Sequence, residues 1–228
     1  MLSAIAIIPS APVLVPELAG AAADEVAELR AAMVAAVAAL PPTWVVVGVG
    51  AADAVVGPNS VGTFAGFGVD LEVRLSSEAR GQPVELPLCA LIAGWIRAEA
   101  QPDAQAQVRV YADNHEAETA QALGRRLRVD IDASAEPTGV LIVADGANTL
   151  TPPAPGGYHP DDVDVQRALD DALACGDLGA LTRLPAQFTG RVAFGVLAGL
   201  AEPAPRSAKE LYRAAPYGVG YFTGVWQP

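Results

Sequence analysis

The chain has 228 residues, 52% of them hydrophobic and 18% charged, with 26 acidic against 14 basic side chains and a formal net charge of −12. An apolar share of this size, carried by Ala, Val and Leu, excludes a disordered chain. The negative balance argues against nucleic acid and against an anionic membrane surface as partners, because the basic residues are not segregated into a patch. Arg125, Arg126 and Arg128 cluster, but Asp130 and Asp132 follow at once, as on a solvated helix end.

The opening MLSAIAIIPSAPVLVPEL is apolar, yet it has no basic flank, and Pro9, Pro12 and Pro16 interrupt it before it could cross a bilayer. Residues 3–8 therefore read as a buried first strand. Residues 24–40 place Val26, Leu29, Met33, Val37 and Leu40 at helical spacing, and Pro41 and Pro42 end that helix. Residues 44–49 form a continuous apolar run, the pattern of a strand covered on both faces. Residues 50–85 are rich in Gly and turn formers, with strands expected at 61–64 and 69–75 as a β excursion over one sheet face. Further on, the pattern predicts helices over 87–100 and 116–127 and strands over 108–112 and 140–144. The loop TLTPPAPGGYHP leads to helices over 161–174, 178–184 and 189–200, and strands over 210–214 and 219–226 close the chain.

This alternation predicts an α/β fold: one domain over residues 1–228, with a mostly parallel twisted sheet and helices on both faces. Cys89 and Cys175 have no metal-type spacing and read as two buried thiols in a reducing cytoplasm. In such sheets a site lies beyond the carboxyl ends of the strands, which directs the search to residues 9–16, 48–53, 113–116 and 145–148. VGVGAA after the second strand lacks the third glycine of a dinucleotide loop and reads as a glycine-rich turn. No serine sits in a nucleophile elbow. His115, in DNHEAE, reads as an exposed imidazole beside a helix cap, and His159 as a loop residue. A metal site would need both, with a carboxylate such as Glu116 or Asp161.

Four segments, IIPSAPVLVPEL at 7–18, VLIVADGANTLTPPAPGGYHPDD at 140–162, CGDLGAL at 175–181 and APYGVGYFTGVW at 215–226, resemble in order and spacing the catalytic-subunit family of class III extradiol ring-cleavage dioxygenases. The resemblance implies a site where two histidines and a glutamate hold Fe(II) and a further histidine acts as acid and base. At the matching positions this chain has Ser10 for the first histidine and Gly48-Val49-Gly50 for the second, with Asn148 for the acid–base histidine and Gln187 or Phe188 for the glutamate. The expectation is therefore a degenerate member without metal or cofactor, its Fe(II) site lost. Its residual cleft, built from Ser10, Gly50, Asp145, Asn148 and Phe188 with His115 beside them, would bind a small aromatic or other small molecule, or a protein partner. The alternative is an active ring-cleaving enzyme acting on a catechol. A large Ala/Val surface also predicts a homo-oligomer.

Overall fold

Alternation along the first strand, β1 (Leu2–Ile8), divides the protein into two cores. Ala4, Ala6 and Ile8 enter one, while Ile5 and Ile7 enter the other. The computed structural model describes residues 1–185 and 188–228. Its main sheet has seven strands in the order β3-β6-β2-β7-β1-β9-β8. The centre is parallel: β2 (Thr43–Gly50) lies between β6 (Gln105–Ala112) and β7 (Thr138–Val143), and β7 pairs with β1. Three antiparallel strands complete it, β3 (Ala54–Val56) on one edge and β9 (Tyr221–Gln227) followed by β8 (Ser207–Ala214) on the other. A separate two-stranded ribbon joins β4 (Val61–Thr63) to β5 (Glu72–Arg74).

Helices cover both faces. After the one-turn α1 (Pro16–Ala19), helix α2 (Ala27–Val37) sends Leu29, Met33 and Val37 into the first core, together with α3 (Leu88–Ala100). The other core belongs to α4 (Ala117–Asp132), α5 (Asp162–Cys175), the short α6 (Leu178–Leu181) and α7 (Arg191–Leu200). Helix α7 is apolar around its whole circumference and buried throughout, from Val192 to Leu200. Burial of each large side chain there, such as Phe194 and Leu197, stabilises by about 1.5–3 kcal/mol. Its closest neighbour is α4, where the backbones touch: a Cβ added at Gly199 would lie 1.9 Å from the Gln121 carbonyl oxygen, and one at Gly124 2.0 Å from that of Val196.

The predicted α/β architecture matches this sheet, with differences of local cause. Residues 24–26 form a turn rather than the first turn of α2, although Val26 is buried as its spacing required. The excursion is smaller than expected and supplies an unforeseen edge strand, β3. Gly48 and Gly50 belong to β2 and not to a turn, since both pair with β6; Gly48 leaves room for α3, as a Cβ there would fall 2.3 Å from the Cys89 Cβ. Cys89 is buried as expected, whereas Cys175, the last residue of α5, is exposed. Among the described residues no helix is long and apolar enough to cross a membrane.

Candidate functional site

The register aligns the carboxyl ends of the parallel strands, pairing Ile8 with Val143 and Gly50 with Ala112. The turns leaving β1, β2, β6 and β7 therefore open on one edge of the sheet, the position where α/β proteins bind ligands. A cavity of about 1060 Å³ lies there, at the upper end of the range for small-molecule sites. All four segments singled out from the sequence line it, through Ser10, Gly50, Asp113 and Asp145 among others. Buried Val143, Val219 and Phe188 give it apolar walls, while Asp113, Asn114 and Thr189 are exposed on its rim.

Asp145, just beyond β7, is the deepest charged group of the lining. Its Oδ1 accepts the Ser10 backbone N–H at 2.7 Å, and its carbonyl accepts the Gly190 N–H at 3.0 Å, at the entry to α7. Asp145 is half-buried at the cavity wall, and the surrounding protein withdraws bulk solvent from it. This burial pushes the carboxyl up to about 7, against the opposing pull of the Ser10 N–H. Tyr221, at the start of β9, lines the same cavity. Burial above all, and then the negative charge of Asp145, raises its hydroxyl well above the ordinary range, so it stays a neutral phenol.

The loop after β7 is fixed from behind by a buried amide. Gln166 of α5 accepts the Ala147 N–H through Oε1 at 2.8 Å and donates through Nε2 to Asp170 at 2.8 Å. It is clamped between two bare backbones: a Cβ at Gly146 or Gly220 would come within 2.1 or 2.2 Å of its amide group. Backbone bonds also tie the loop to Gly220: the Gly146 N–H donates to the Gly220 carbonyl at 2.9 Å, and the Gly220 N–H donates to the Ala147 carbonyl at 2.8 Å. Asp145 and Asn148 are thus carried on a rigid turn. Asn148 holds the far side of the loop through its carbonyl, which accepts the Gly156 N–H at 2.9 Å, and the residue lines the cavity.

Tyr217 occupies the mouth of the cavity in a left-handed conformation, φ 60° and ψ 15°, which a tyrosine adopts only when its surroundings impose it. Its hydroxyl donates to Glu25 Oε2 at 2.8 Å, joining the turn before β9 to the segment before α2.

The structure brings together five of the six expected site residues: Ser10, Gly50, Asp145, Asn148 and Phe188. His115 is the exception. Its Nε2 lies 2.8 Å from Asp53 Oδ1, its carbonyl accepts from Arg191, and it is not part of the cavity lining. Asp53 also accepts the Ala112 N–H, and that bond, followed by the one to His115, holds its carboxyl below the usual range. Among the described residues no three His, Cys, Asp or Glu side chains are grouped to hold a metal ion, so His115 and His159 do not assemble one with Glu116 or Asp161. Gln187, a match for the glutamate position, lies outside the described residues with Ala186.

No family model matches the chain, and no curated protein matches it. Among solved structures, the crystal structure of the uncharacterized protein JW3007 from Escherichia coli K12 is similar to it. The alignment covers 99% of this chain and 100% of that one, with a TM-score of 0.56 and 11% sequence identity. At that identity the likeness shows a shared fold.

Sequence reasoning missed Tyr217 and Tyr221. Their segment, APYGVGYF, was legible as the run into a final strand, and its antiparallel direction decides the rest. β9 begins where β1 ends, so residues entering it reach the same edge as residues leaving the parallel strands.

Proposed function

We propose that the protein is a degenerate relative of the class III extradiol dioxygenases that binds a small molecule in the former catalytic cleft without turning it over. The observation supporting this reading is the cavity: it opens over the carboxyl ends of the parallel strands, has apolar walls and ample volume, and is lined by Ser10, Gly50, Asn148 and Phe188, the residues that the resemblance sets against the iron ligands and the acid–base histidine. Binding both a catechol and O₂ requires an iron held by imidazoles and a carboxylate with positions left open. The described lining offers two aspartates and no imidazole, a set that does not fit that ion. Asn148 hydrogen-bonds but cannot carry a proton near neutral pH. A pocket that only binds needs little more than apolar area and a few polar groups that fix orientation.

The same reading places the protein in the cytoplasm as a homo-oligomer. Val55, exposed on edge strand β3, is the kind of surface a second copy covers. Light scattering at the monomer mass would contradict the oligomer.

The function is tested by loading the protein anaerobically with Fe(II), adding catechol or protocatechuate, and then admitting oxygen. The expected result is no yellow ring-fission product above a free-iron blank, with saturable catechol binding that Asn148→Ala weakens. Catalytic turnover would establish the alternative, an active ring-cleaving dioxygenase.

A further inference from the structure

The cavity is chemically one-sided. Its described lining contains two carboxylates, Asp145 inside and Asp113 on the rim, three aromatic rings, Tyr217, Tyr221 and Phe188, and no Lys, Arg or His. Oxygen acceptors and aromatic side chains thus border a space whose described lining contains no cationic side chain. Arg191 follows Gly190 of the lining at the start of α7, but its guanidinium is engaged elsewhere: it donates to the carbonyls of His115 at 2.8 Å and Asp113 at 3.1 Å. Asp145 is satisfied on one oxygen only, by the Ser10 amide, and no ion pair reaches it among the described residues. A buried carboxylate without a counter-charge is costly. Aromatic faces beside it attract a cation and resist an anion.

We infer that the occupant of this cavity carries a positively charged nitrogen, a primary or quaternary ammonium on a compact apolar frame, held against Asp145 with the rings around it. This inference rests on the reading of the cavity as a small-molecule site and names the ligand class for it. The ammonium supplies the missing counter-charge, and the frame occupies the space bounded by Val143, Val219 and Phe188. Tyr217, tied to Glu25 at the mouth, adds a ring at the entrance.

A proton linkage follows. Burial holds the Asp145 carboxyl near 7, so a cation binding beside it displaces the proton. The groups facing Asp145 do not reverse this: Tyr221 of β9 and Tyr217 before it stay neutral, Asp113 beyond β6 is a further anion, and β1 and β2 contribute the uncharged Ser10 and Gly50. Affinity for an ammonium therefore falls as pH drops below about 7, and affinity for a neutral analogue does not.

Isothermal titration with phenethylamine, 2-phenylethanol and 3-phenylpropionate at pH 8 and pH 5 tests this. At pH 8 the amine is expected to bind on the order of tenfold tighter than the alcohol, the difference a charge-assisted hydrogen bond makes, with the carboxylate weakest. At pH 5 the preference for the amine should shrink towards parity, and Asp145→Asn should bring amine and alcohol to equal affinity at both pH values. Equal binding of amine and alcohol by the wild type at pH 8, or a preference that survives in the variant, would overturn the inference and leave the small-molecule reading standing. Failure of all three compounds to bind would overturn both.

Discussion

Replacing Asp145 by asparagine keeps an oxygen to accept the Ser10 amide and removes a charge that the folded protein accommodates poorly. In the native protein burial raises the carboxyl from its ordinary 3.8 to about 7. At about 1.4 kcal/mol for each tenfold change in proton affinity, that difference is worth roughly 4 kcal/mol, and water entering the cavity lowers it to about 2–4 kcal/mol. The sign follows from proton binding. Below pH 3.8 both folded and unfolded chains hold the proton, and Asp145 leaves stability unaltered. Between 3.8 and 7 the unfolded chain releases its proton while the folded one keeps it, so stability falls as pH rises. Above 7 both are ionised and the loss is complete. Urea denaturation of wild type and Asp145→Asn at intervals from pH 4 to pH 8 isolates the effect, since every other carboxylate, Asp170 included, is common to both. The stability of the variant relative to the wild type should rise across this interval by about 2–4 kcal/mol and level off above pH 7. A difference that stays flat with pH, or one that moves against the variant as pH rises, would refute the burial argument.

Gly199→Ala drives a methyl group into the Gln121 carbonyl of α4. Separating two packed helices should outweigh the better helix propensity of alanine and cost about 2–3 kcal/mol in denaturation, while Gly66→Ala, with nothing within 4 Å of its Cβ, should be near neutral. Gln166→Met leaves the buried Ala147 N–H without an acceptor and Asp170 without a donor, so a loss of about 2–4 kcal/mol is expected, with faster hydrogen exchange at the Ala147 amide. Burial pushes the Cys89 thiol up to about 11 and Gly48 packs against it, whereas Cys175 is exposed, so an alkylating reagent at pH 8 should modify Cys175 alone until denaturant is added.

Much of the fold was legible because its signals are local. Continuous apolar runs marked β2 and β7, helical spacing marked α2, and an apolar stretch long enough for a packed helix marked α3. Parallel topology then located the cavity, since the turns after β1, β2, β6 and β7 must share an edge. Features fixed by tertiary pairing were not legible. β3 is a short, mostly exposed segment that becomes a strand only by pairing with β6, and the partner that occupies His115, Asp53, lies 62 residues away. Gln166 gave no signal either. A glutamine on a helix reads as solvated until Gly146 and Gly220 are seen to make room for its amide. Cys175 looked like a core residue by composition, but as the last residue of α5 it faces outward.

If the cavity over the parallel strands is a ligand site, blocking it abolishes binding. Ser10 lines the cavity at the end of β1, so Ser10→Trp should fill much of the space beside Asp145 without entering the sheet. Calorimetric titration of catechol and phenethylamine into wild type and Ser10→Trp, with thermal melting to show that the variant is folded, provides the comparison. Saturable binding to the wild type, lost in a folded Ser10→Trp protein, is the expected result. Equal binding to both proteins, or no saturable binding to the wild type, would contradict it.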